Sequence, residues 1–324
     1  MSINIGIDLG TSSVLVYKQG KGIILNEPST VVFNKSTNKI VSVGDETRNV
    51  VGRTPGNLVA INPLQHGVIS DFAMTEKMLR YFINKAVGKR GWKRPNVCVT
   101  VPAQITDLEK RAVEDATIQA GAKDVIVLEN TVAAAIGLGI DIDQPVGNMI
   151  VDIGGGTTDI SVISLGGCVI SSTLRIAGEE FDKAIVRYIR KRKNLLIGMV
   201  TAEEIKKDVG SVVHRSIPSY MEIRGRDLMN GLPVTITISS NDIADALKEL
   251  TQMILNEIHF ILEKTPPELA ADITYRGIIL TGGGSLIKGF DELIENSLGI
   301  MAIRPDDPIG VAVEGTGKHI ERYR

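Results

Sequence analysis

The sequence contains little cysteine, few aromatic residues and no marked excess of charge of either sign. Its 324 residues include 2 cysteines, 1 tryptophan and 4% aromatic side chains. Cys98 and Cys168 are too few for the disulfide scaffold of a small secreted domain, and each lies in an apolar, strand-like run. We therefore expect two free, buried thiols in a reducing cytoplasm.

Signals for nucleic-acid binding, export and membrane spanning are also missing. The 36 basic and 38 acidic residues give a formal charge of −2, so no basic field predicts nucleic acid as a partner. The run from Asp159 to Arg175 lacks charge between its ends but is interrupted by Ser, Thr and Gly, whereas a spanning helix needs about 20 apolar residues. The chain enters a strand-like run at Ile3 without a basic and then an apolar region, so we expect no secretory signal.

Strand and helix patterns alternate, and their order occurs twice. The length suits two domains of about 150 residues each. The runs INIGIDLG, SSVLVYKQ and KGIILNE predict a meander of strands, and NMIVDIGG, TTDISVISL and GCVISSTLRI repeat it from Asn148. Helical spacing follows each meander, as in residues 75–87 and 241–264. We therefore predict two similar α/β domains with mostly parallel sheets and a cleft between them.

Each half also carries an apolar strand that runs into an aspartate and a glycine-threonine turn. The two stretches are IGIDLGT at 5–11 and IVDIGGGTTD at 150–159. Glycines allow backbone N–H groups to approach a bulky anion, and hydroxyl groups add donors. Asp8 and Asp152 would hold a hydrated Mg²⁺, which keeps several of its waters. One such turn is typical of a plain hairpin, but two copies together with TGGG at 281–284 favour a polyphosphate site.

The stretch TAEEIKKDVG indicates where a nucleoside would bind. Thr201 and Glu204 form a capping-box pattern that predicts a helix start near Thr201. Glu203 and Lys206 then share a helix face, where they can hydrogen-bond a ribose and contact a purine. The alternative is a solvated surface ion pair. GGGS at 282–285 offers a flat backbone surface for the other face of the base.

These motifs resemble those of a known ATPase superfamily. DLGTSS, DIGGGTTD and LTGGGSLIKG are similar to the phosphate-1, phosphate-2 and adenosine motifs of the actin, Hsp70 and sugar-kinase proteins. KGIILNEPS, VVGRTPGN, HGVISDF, MEIRGRDLMNGLP, LEKTPPELAADI and RGIILTGGGS resemble stretches of the MreB family, the bacterial actin homologues. The resemblance covers essentially the whole chain.

The resemblance implies an α/β, actin-like ATPase fold. It consists of two duplicated ribonuclease H-like domains with a nucleotide cleft between them, divided into four subdomains. Domain I would span 1–140, with subdomain IB at about 31–65, and a C-terminal helix at about 309–324 would pack back on it. Domain II would span 141–308, with subdomain IIB at about 179–241.

The resemblance also implies a function: a cell-shape-determining cytoskeletal protein that binds ATP and Mg²⁺. Such proteins polymerise into membrane-associated antiparallel filaments and guide cell-wall synthesis with membrane proteins of the elongation machinery. The implied location is cytoplasmic, at the inner face of the cell membrane. Asp8 and Asp152 would hold the metal through water. The implied nucleotide-binding residues are Thr11, Ser12, Ser13, Gly154, Gly155, Gly156, Thr157, Glu203, Glu204, Lys206, Gly282, Gly283, Gly284 and Ser285; the family commonly has Asn at the place of Ser13.

One departure from the family concerns hydrolysis. Relatives read Glu-Glu-Pro before the small-residue helix, and this chain reads VLENTVAAAIG, which aligns the second Glu with Asn130. Asn130, Glu129 and Asp152 form the expected catalytic group. An amide can orient a water but cannot take its proton, so we expect slow ATPase activity coupled to polymerisation. Asn130 is also a suitable N-cap, and Glu129 can substitute for the missing Glu, although successive strand side chains usually point to opposite faces.

KRGWKR at 89–94 is a candidate membrane contact. Trp92, Lys93 and Arg94 combine an indole with basic side chains, the composition of an interfacial anchor. The alternative is a basic helix terminus with a locally packed tryptophan. The basic residues also sit where we expect a loop between a helix and a strand.

Two other functions are open to a protein of this superfamily. A sugar or acetate kinase should have an acidic base and a sugar-binding insertion, and no segment here is long enough to supply one. An Hsp70-like chaperone would need a substrate-binding β-domain after the ATPase, whereas the sequence ends at Arg324. We therefore expect a filament protein.

Overall fold

The computed structural model describes residues 3–37, 39–48, 50, 56–88 and 94–322. Short 3₁₀ helices lie at Gly44–Thr47 and Gly283–Leu286. The strands are β1 (Asn4–Leu9), β2 (Ser13–Lys18), β3 (Gly22–Pro28), β4 (Val31–Asn34), β5 (Lys39–Val43), β6 (Leu58–Ile61), β7 (Leu64–Gln65), β8 (Val68–Ile69), β9 (Asn96–Val101), β10 (Asp124–Glu129), β11 (Asn148–Ile153), β12 (Thr158–Ser164), β13 (Gly167–Leu174), β14 (Leu195–Leu196), β15 (Tyr220–Asp227), β16 (Pro233–Ser239), β17 (Ile278–Thr281) and β18 (Ala302–Ile303). The helices are α1 (Phe72–Val87), α2 (Asp107–Gln119), α3 (Asn130–Gly137), α4 (Gly178–Lys193), α5 (Met199–Val209), α6 (Ser240–Lys264), α7 (Pro267–Arg276), α8 (Phe290–Leu298) and α9 (Val311–Arg322).

Two large sheets repeat one topology. The first has the strand order β10-β9-β1-β2-β3 and the second β13-β12-β11-β17-β18. In each sheet the central strand, β1 or β11, pairs antiparallel with the next strand of its meander and parallel with a later strand. The predicted duplication of an α/β unit is therefore confirmed, and the carboxyl ends of β1 and β11 carry the two glycine turns. The prediction of mostly parallel sheets is wrong, because the meander strands pair antiparallel and each large sheet has two antiparallel and two parallel pairs.

Smaller sheets extend each half. A sheet with the strand order β5-β4-β6 follows β3 in the chain, and a sheet with the strand order β14-β15-β16 lies between α4 and α6. Strand β15, which includes Glu222, Arg224 and Arg226, was not predicted from the sequence. Its alternating charges face solvent while Ile223 is buried. The boundaries of the four subdomains stay predictions.

The central strands are buried and the helices cover them. Ile5 and Ile7 of β1 and Met149 and Val151 of β11 have no exposed surface, because helices cover both faces of a sheet built this way. Helix α9 contacts β1, β2, β9 and α3. A Cβ at Gly315 would overlap the carbonyl oxygen of Ala133, so glycine allows α9 and α3 to approach closely. This contact fixes α3 beneath the cleft.

Local capping explains where the helices start. Helix α1 begins at Phe72, three residues before the predicted start at 75, because the Asp71 carboxylate accepts a bond from the Met74 N–H at 3.0 Å. Ser239 and Asp242 form a capping box that starts α6 one residue before the prediction. Cys98 is buried in β9 and Cys168 is half-buried in β13, and both are free, as predicted.

Candidate functional site

The two predicted glycine turns face each other between the large sheets. A Cβ at Gly155 would overlap the Ser12 hydroxyl oxygen, and one at Gly156 would overlap the Thr11 hydroxyl oxygen. Only glycine at these positions lets the two turns come this close. The structure therefore brings together residues that were predicted to surround phosphates from both halves of the chain.

The turn after β1 is braced by uncharged groups. The Gly10 N–H donates to the Ser13 carbonyl at 3.1 Å, and the Ser29 hydroxyl donates to the Gly10 carbonyl at 2.5 Å. The Gly67 N–H donates to the Thr11 hydroxyl at 2.9 Å. Ser29 and Gly67 were missed from the sequence because each lies far along the chain from the turn that it holds.

The turn after β11 has the same internal bond but a different brace. The Gly154 N–H donates to the Thr157 carbonyl at 2.9 Å. The first two N–H groups of α4, from Gly178 and Glu179, donate to the Gly154 and Gly155 carbonyls at 3.1 and 2.8 Å. The start of α4 thus holds this turn in place.

The predicted metal-binding carboxylates end the two central strands. Asp8 accepts a bond from the Thr100 hydroxyl at 2.7 Å, and Asp152 accepts one from the Thr281 hydroxyl at 3.0 Å. Burial raises the pKa of Asp8. Burial, with the charges of Asp159 and Asp8, raises the pKa of Asp152 to about 7. Both carboxyl groups are thus buried, and burial disfavours their ionised forms.

Two carboxylates together with water molecules suit a divalent cation such as Mg²⁺. Mg²⁺ keeps several waters and takes few protein ligands directly, so it does not need a full cage of side chains. Within the described ranges no cluster of three or more His, Cys, Asp or Glu side chains could hold a metal by itself. The residues present fit a hydrated Mg²⁺ held with the help of a bound phosphate.

Asp159 is a fully buried carboxylate that joins the two halves. It accepts bonds from the Ala103 N–H at 3.2 Å and the Asn130 amide at 3.3 Å in the first half. It also accepts from the Thr157 and Thr173 hydroxyls at 3.2 and 2.5 Å in the second half. Burial raises its pKa in spite of these four donors. Asp159 ends the repeated motif IVDIGGGTTD, a signal that could have identified it.

The residues expected to act in hydrolysis lie beside Asp159. Helix α3 starts at Asn130 and its N-cap is Glu129, which makes no side-chain cap bond, so the N-cap interpretation of Asn130 is wrong. The strand conformation persists through Glu129, which moves the cap position back by one residue. The Asn130 side-chain N–H donates to Asp159, and no described residue donates to its amide oxygen, which can accept from water.

Glu129 carries an unsatisfied buried oxygen. Its Oε2 is the buried atom, and it has no hydrogen-bond partner among the described residues. Burial raises its pKa, the charge of Lys110 lowers it and the charge of Asp159 raises it further. A carboxyl group in this setting can take a proton more readily than an exposed one.

The capping box predicted on α5 is wrong, and Glu203 and Lys206 do not form the surface ion pair given as the alternative to a nucleoside contact. The helix begins at Met199 after Gly198, with no side-chain cap, so Thr201 and Glu204 do not start it. Lys206 lies 2.8 Å from Asp182 and donates to the Gly178 carbonyl at 2.9 Å, so it braces the second turn. A buried acid on α4 attracts Lys206 more strongly than an exposed neighbour on its own helix.

Glu203 pairs with a different lysine. Its carboxylate lies 2.6 Å from Lys207, one helical turn away. Burial opposes its ionisation, but the hydrogen bond and charge of Lys207 outweigh burial, and Lys206 and Arg48 help to lower its pKa. Glu204 is exposed. Glu203 is thus an ionised group, whereas burial raises the pKa of Asp182 to about 6 against the opposing charge of Lys206.

The third glycine turn packs against the end of β11. Gly282 has φ +79° and its N–H donates to the Pro308 carbonyl at 2.8 Å. A Cβ at Gly282 would overlap the Ile153 carbonyl oxygen, and one at Gly284 would overlap the Ile153 side chain. Ser285 is buried and its hydroxyl donates to the Gly282 carbonyl at 2.7 Å. The turn therefore lies directly beside Asp152.

One family of known proteins matches this chain over nearly its whole length. A family model described as MreB/Mbl protein matches residues 2–324. The chain belongs to the MreB/Mbl family. It is 48% identical over 318 residues to the cell shape-determining protein Mbl of Bacillus cereus, covering 98% of this chain and 96% of that one. It is 44% identical over 326 residues to the cell shape-determining protein MreB of Escherichia coli, covering 99% and 94%.

Solved structures of the MreB/Mbl family agree with the fold. MreB5 of Spiroplasma citri bound to AMPPNP is 37% identical, with a TM-score of 0.94 over 100% of this chain and 98% of that one. MreB5 bound to ADP is equally similar. The MamK double helical filament, at 24% identity and a TM-score of 0.84 over 99% of both chains, supports the fold alone. The predicted actin-like fold is confirmed.

The predicted membrane contact is only partly described. Trp92 and Lys93 lie outside the described residues, and Arg94 is exposed just before β9. Among the helices that the structure describes, none combines the length and apolar character that crossing a bilayer requires. The membrane role of this segment stays a prediction.

One unpredicted side chain lies close to the first turn. His66 connects β7 to β8 with φ +50°, a left-handed conformation that is uncommon outside glycine. Its Nδ1 is buried without a hydrogen-bond partner in the described part of the chain. The next residue, Gly67, holds Thr11. A His-Gly pair between two short strands is the sequence signal for this turn.

Proposed function

We propose that this chain is an ATP-binding, filament-forming protein of the bacterial cytoskeleton that determines cell shape. The observation that carries the proposal is the pair of glycine turns that face each other between two duplicated sheets. The names of its relatives support it, since Mbl and MreB are cell shape-determining proteins. MreB5 of Spiroplasma citri, one of the similar proteins of known structure, was solved bound to AMPPNP and to ADP.

ATP binds with its phosphates between the turns in this proposal. Backbone N–H groups and hydroxyls of residues 11–13 and 154–157 cradle the phosphates. Asp8 and Asp152 hold Mg²⁺ through its waters, and the ion supplies positive charge that screens the phosphates and the buried acids. The raised pKa of Asp152 supports this role, because a cation there would restore the ionised form.

The nucleoside lies between α5 and the third glycine turn. Glu203, an ionised residue, hydrogen-bonds the ribose, and Glu204 flanks it. Lys206 contributes by holding Gly178 and thereby the phosphate turn, which its bond to the Gly178 carbonyl supports. The base lies against residues 282–285, where, of the described residues, Ile309 alone would come within 4.0 Å of a Cβ on Gly283.

Hydrolysis is slow in this proposal. Asn130 orients the attacking water through its free amide oxygen but cannot take a proton. Asn130 acts together with Glu129 and Asp152 as the catalytic group. The buried Oε2 of Glu129 has no hydrogen-bond partner among the described residues. Because phosphoryl transfer relies mainly on positioning and electrostatics, the reaction proceeds at a reduced rate.

The filament is membrane-associated and guides cell-wall synthesis. Protofilaments pair antiparallel at the inner face of the cell membrane, where the protein meets membrane proteins of the elongation machinery. Trp92, Lys93 and Arg94 form the lipid contact, with a gain of about 1 kcal/mol for each basic residue near an anionic surface.

Sedimentation with ATP and Mg²⁺ tests the proposal. We expect a polymer that pellets with nucleotide, and filaments on a lipid layer in electron micrographs. Phosphorylation of a panel of sugars and acetate is the control for the kinase alternative. Transfer of phosphate to any of these, with no polymer, would overturn the proposed function.

A further inference from the structure

The Asp159 carboxylate lies fully buried between the two halves of the chain. Its Oδ1 accepts from the Ala103 N–H at 3.2 Å and from the Thr173 hydroxyl at 2.5 Å. Its Oδ2 accepts from the Thr157 hydroxyl at 3.2 Å and from the Asn130 side-chain N–H at 3.3 Å. A carboxylate has about four lone-pair positions, so donors from both halves occupy all of them.

The bond between Asn130 and Asp159 decides which way the Asn130 amide points. An amide has a donating nitrogen at one end and an accepting oxygen at the other. Each of the four donors around Asp159 favours its ionised form, and an ionised carboxylate only accepts hydrogen bonds. The nitrogen of Asn130 must therefore face Asp159, and its oxygen must face away, where no described residue donates to it.

Asp159 also connects Asn130 to the phosphate turn after β11. The Thr157 hydroxyl shares Oδ2 of Asp159 with the Asn130 amide. Thr157 belongs to the turn, because its carbonyl accepts from the Gly154 N–H at 2.9 Å. One oxygen atom thus fixes the amide relative to the turn that is proposed to hold the phosphates.

The other oxygen of Asp159 is held by the loop that follows β9. The Gln104 N–H donates to the Thr173 hydroxyl at 3.1 Å, and that hydroxyl donates to Asp159. The preceding N–H, from Ala103, donates to Asp159 directly. Two successive N–H groups of the first half therefore bind one network in the second half, which holds the carboxylate in a single orientation.

A neighbouring contact provides a comparison with a purely structural hydrogen bond. The Thr131 hydroxyl donates to the Ser161 hydroxyl at 2.8 Å, and both side chains are fully buried. This bond joins α3 to β12, as the bond between Asn130 and Asp159 does. It does not involve the Asn130 amide, so its loss should affect stability without turning that amide.

We propose that Asp159 is a positioning residue for ATP hydrolysis, which holds the Asn130 amide with its oxygen towards the attacking water. The inference rests on the proposed function and adds a residue to it. Water attacks the γ-phosphorus, the bond to the bridging oxygen of ADP breaks, and the proton of the water leaves with inorganic phosphate. Asp159 neither touches the substrate nor takes that proton, and it acts only through Asn130.

A double-mutant cycle with Asp159→Asn and Asn130→Ala tests the proposal. The new amide can present either end to Asn130, so the fixed orientation is lost. We expect phosphate release at saturating ATP, under polymerising conditions, to fall about tenfold, because misplacement of a positioning group is costly. In the Asn130→Ala background the same substitution should cost less than about twofold, since the side chain through which it acts is already gone.

Ser161→Ala is the matched control. It removes a buried hydrogen bond between the same helix and strand and leaves both Asp159 and Asn130 in place. We expect its thermal stability to fall, because the Thr131 hydroxyl loses its partner, and its rate of phosphate release to stay within about twofold of wild type.

Thr173→Val is a second variant, which keeps the test decisive if Asp159→Asn does not fold. It withdraws one donor from Asp159 and should slow phosphate release about threefold, with no further loss in the Asn130→Ala background. Equal losses in both backgrounds, no loss in either, or an equal loss in Ser161→Ala would overturn the positioning role and leave the proposed function standing. A wild type that neither binds ATP nor releases phosphate overturns both.

Discussion

The two phosphate turns share a backbone and differ in what surrounds it. In each turn a glycine N–H donates to the carbonyl three residues later, from Gly10 to Ser13 and from Gly154 to Thr157. The first turn is held by the Ser29 hydroxyl and the Gly67 N–H. The second is held by the start of α4, which Lys206 ties to Asp182. The duplicated strands thus place the two turns alike, whereas different elements hold each turn.

The aspartates that precede the turns differ in the same way. Asp152 lies opposite Asp159 on the neighbouring strand, and its pKa is raised to about 7 by burial and by these nearby acids. Asp8 lies opposite Leu15 and its pKa is raised by burial alone, against the hydrogen bond from Thr100. The carboxylate before the second turn therefore differs from the first in having acidic neighbours whose charges add to the effect of burial.

The largest effect is expected from Asp152→Ala. Loss of a carboxylate that holds the metal through water typically costs 10- to 100-fold in affinity, and we expect Mg²⁺-dependent ATP binding to weaken by about 100-fold. Titration calorimetry measures this. With EDTA in place of Mg²⁺, the variant should bind ATP no worse than wild type. Unchanged affinity in the presence of Mg²⁺ would remove Asp152 from the site.

Gly155→Ala tests whether the turns must approach each other. The new Cβ would overlap the Ser12 hydroxyl oxygen across the cleft, and overpacking of this kind costs about 1–3 kcal/mol. We expect ATP affinity to fall about tenfold, with a smaller change in thermal stability. Gly167→Ala is the matched control, because its Cβ would meet nothing within 4 Å. Equal affinities in the two variants would contradict a closed pair of turns.

Asn130→Glu tests how the two halves cooperate in hydrolysis. The variant places a second carboxylate beside Asp159, and the repulsion raises the pKa of the pair, which favours proton uptake. We expect phosphate release under polymerising conditions to rise about fivefold, less than the gain of about 10²-fold or more from a well-placed general base. Asn130→Gln, with the same length but no charge, should stay near the wild-type rate. An equal or lower rate in the Glu variant would show that this position does not limit hydrolysis.

The smallest expected effect is on the pH dependence of stability that comes from Asp182, which pairs with Lys206 beside the second turn. Burial raises the pKa of Asp182 from 3.8 to about 6, so the folded protein holds this proton more tightly than the unfolded chain. The free energy of unfolding should therefore fall as pH rises, by about 1 kcal/mol from this group between pH 5 and pH 6.5. Asp182→Asn should remove that part of the slope in urea denaturation. A slope unchanged by the substitution would mean that Asp182 titrates normally.

The strands and turns that carry the site could be predicted from the sequence better than the hydrogen bonds and ion pairs of its side chains. The repeated strand, aspartate and glycine turn determine the topology, because the glycine spacing leaves few ways to place the backbone. The partner of Lys206 could not be predicted, since Asp182 belongs to another helix and only packing brings them together. The cap of α3 was misplaced for a local reason: extended backbone continues through Glu129. The left-handed turn at His66 and Gly67 has only a short signal, a His-Gly pair between two strands of two residues each, which was missed.

Hydrogen exchange with and without ATP and Mg²⁺ tests the central claim most directly. If phosphates lie between the turns, the backbone N–H groups of residues 10–13 and 154–157 should exchange more slowly together when nucleotide is added. The loop at 215–219, distant from both turns in the chain, should not change. Slower exchange in only one turn, or in neither, would contradict a site built from both halves of the chain.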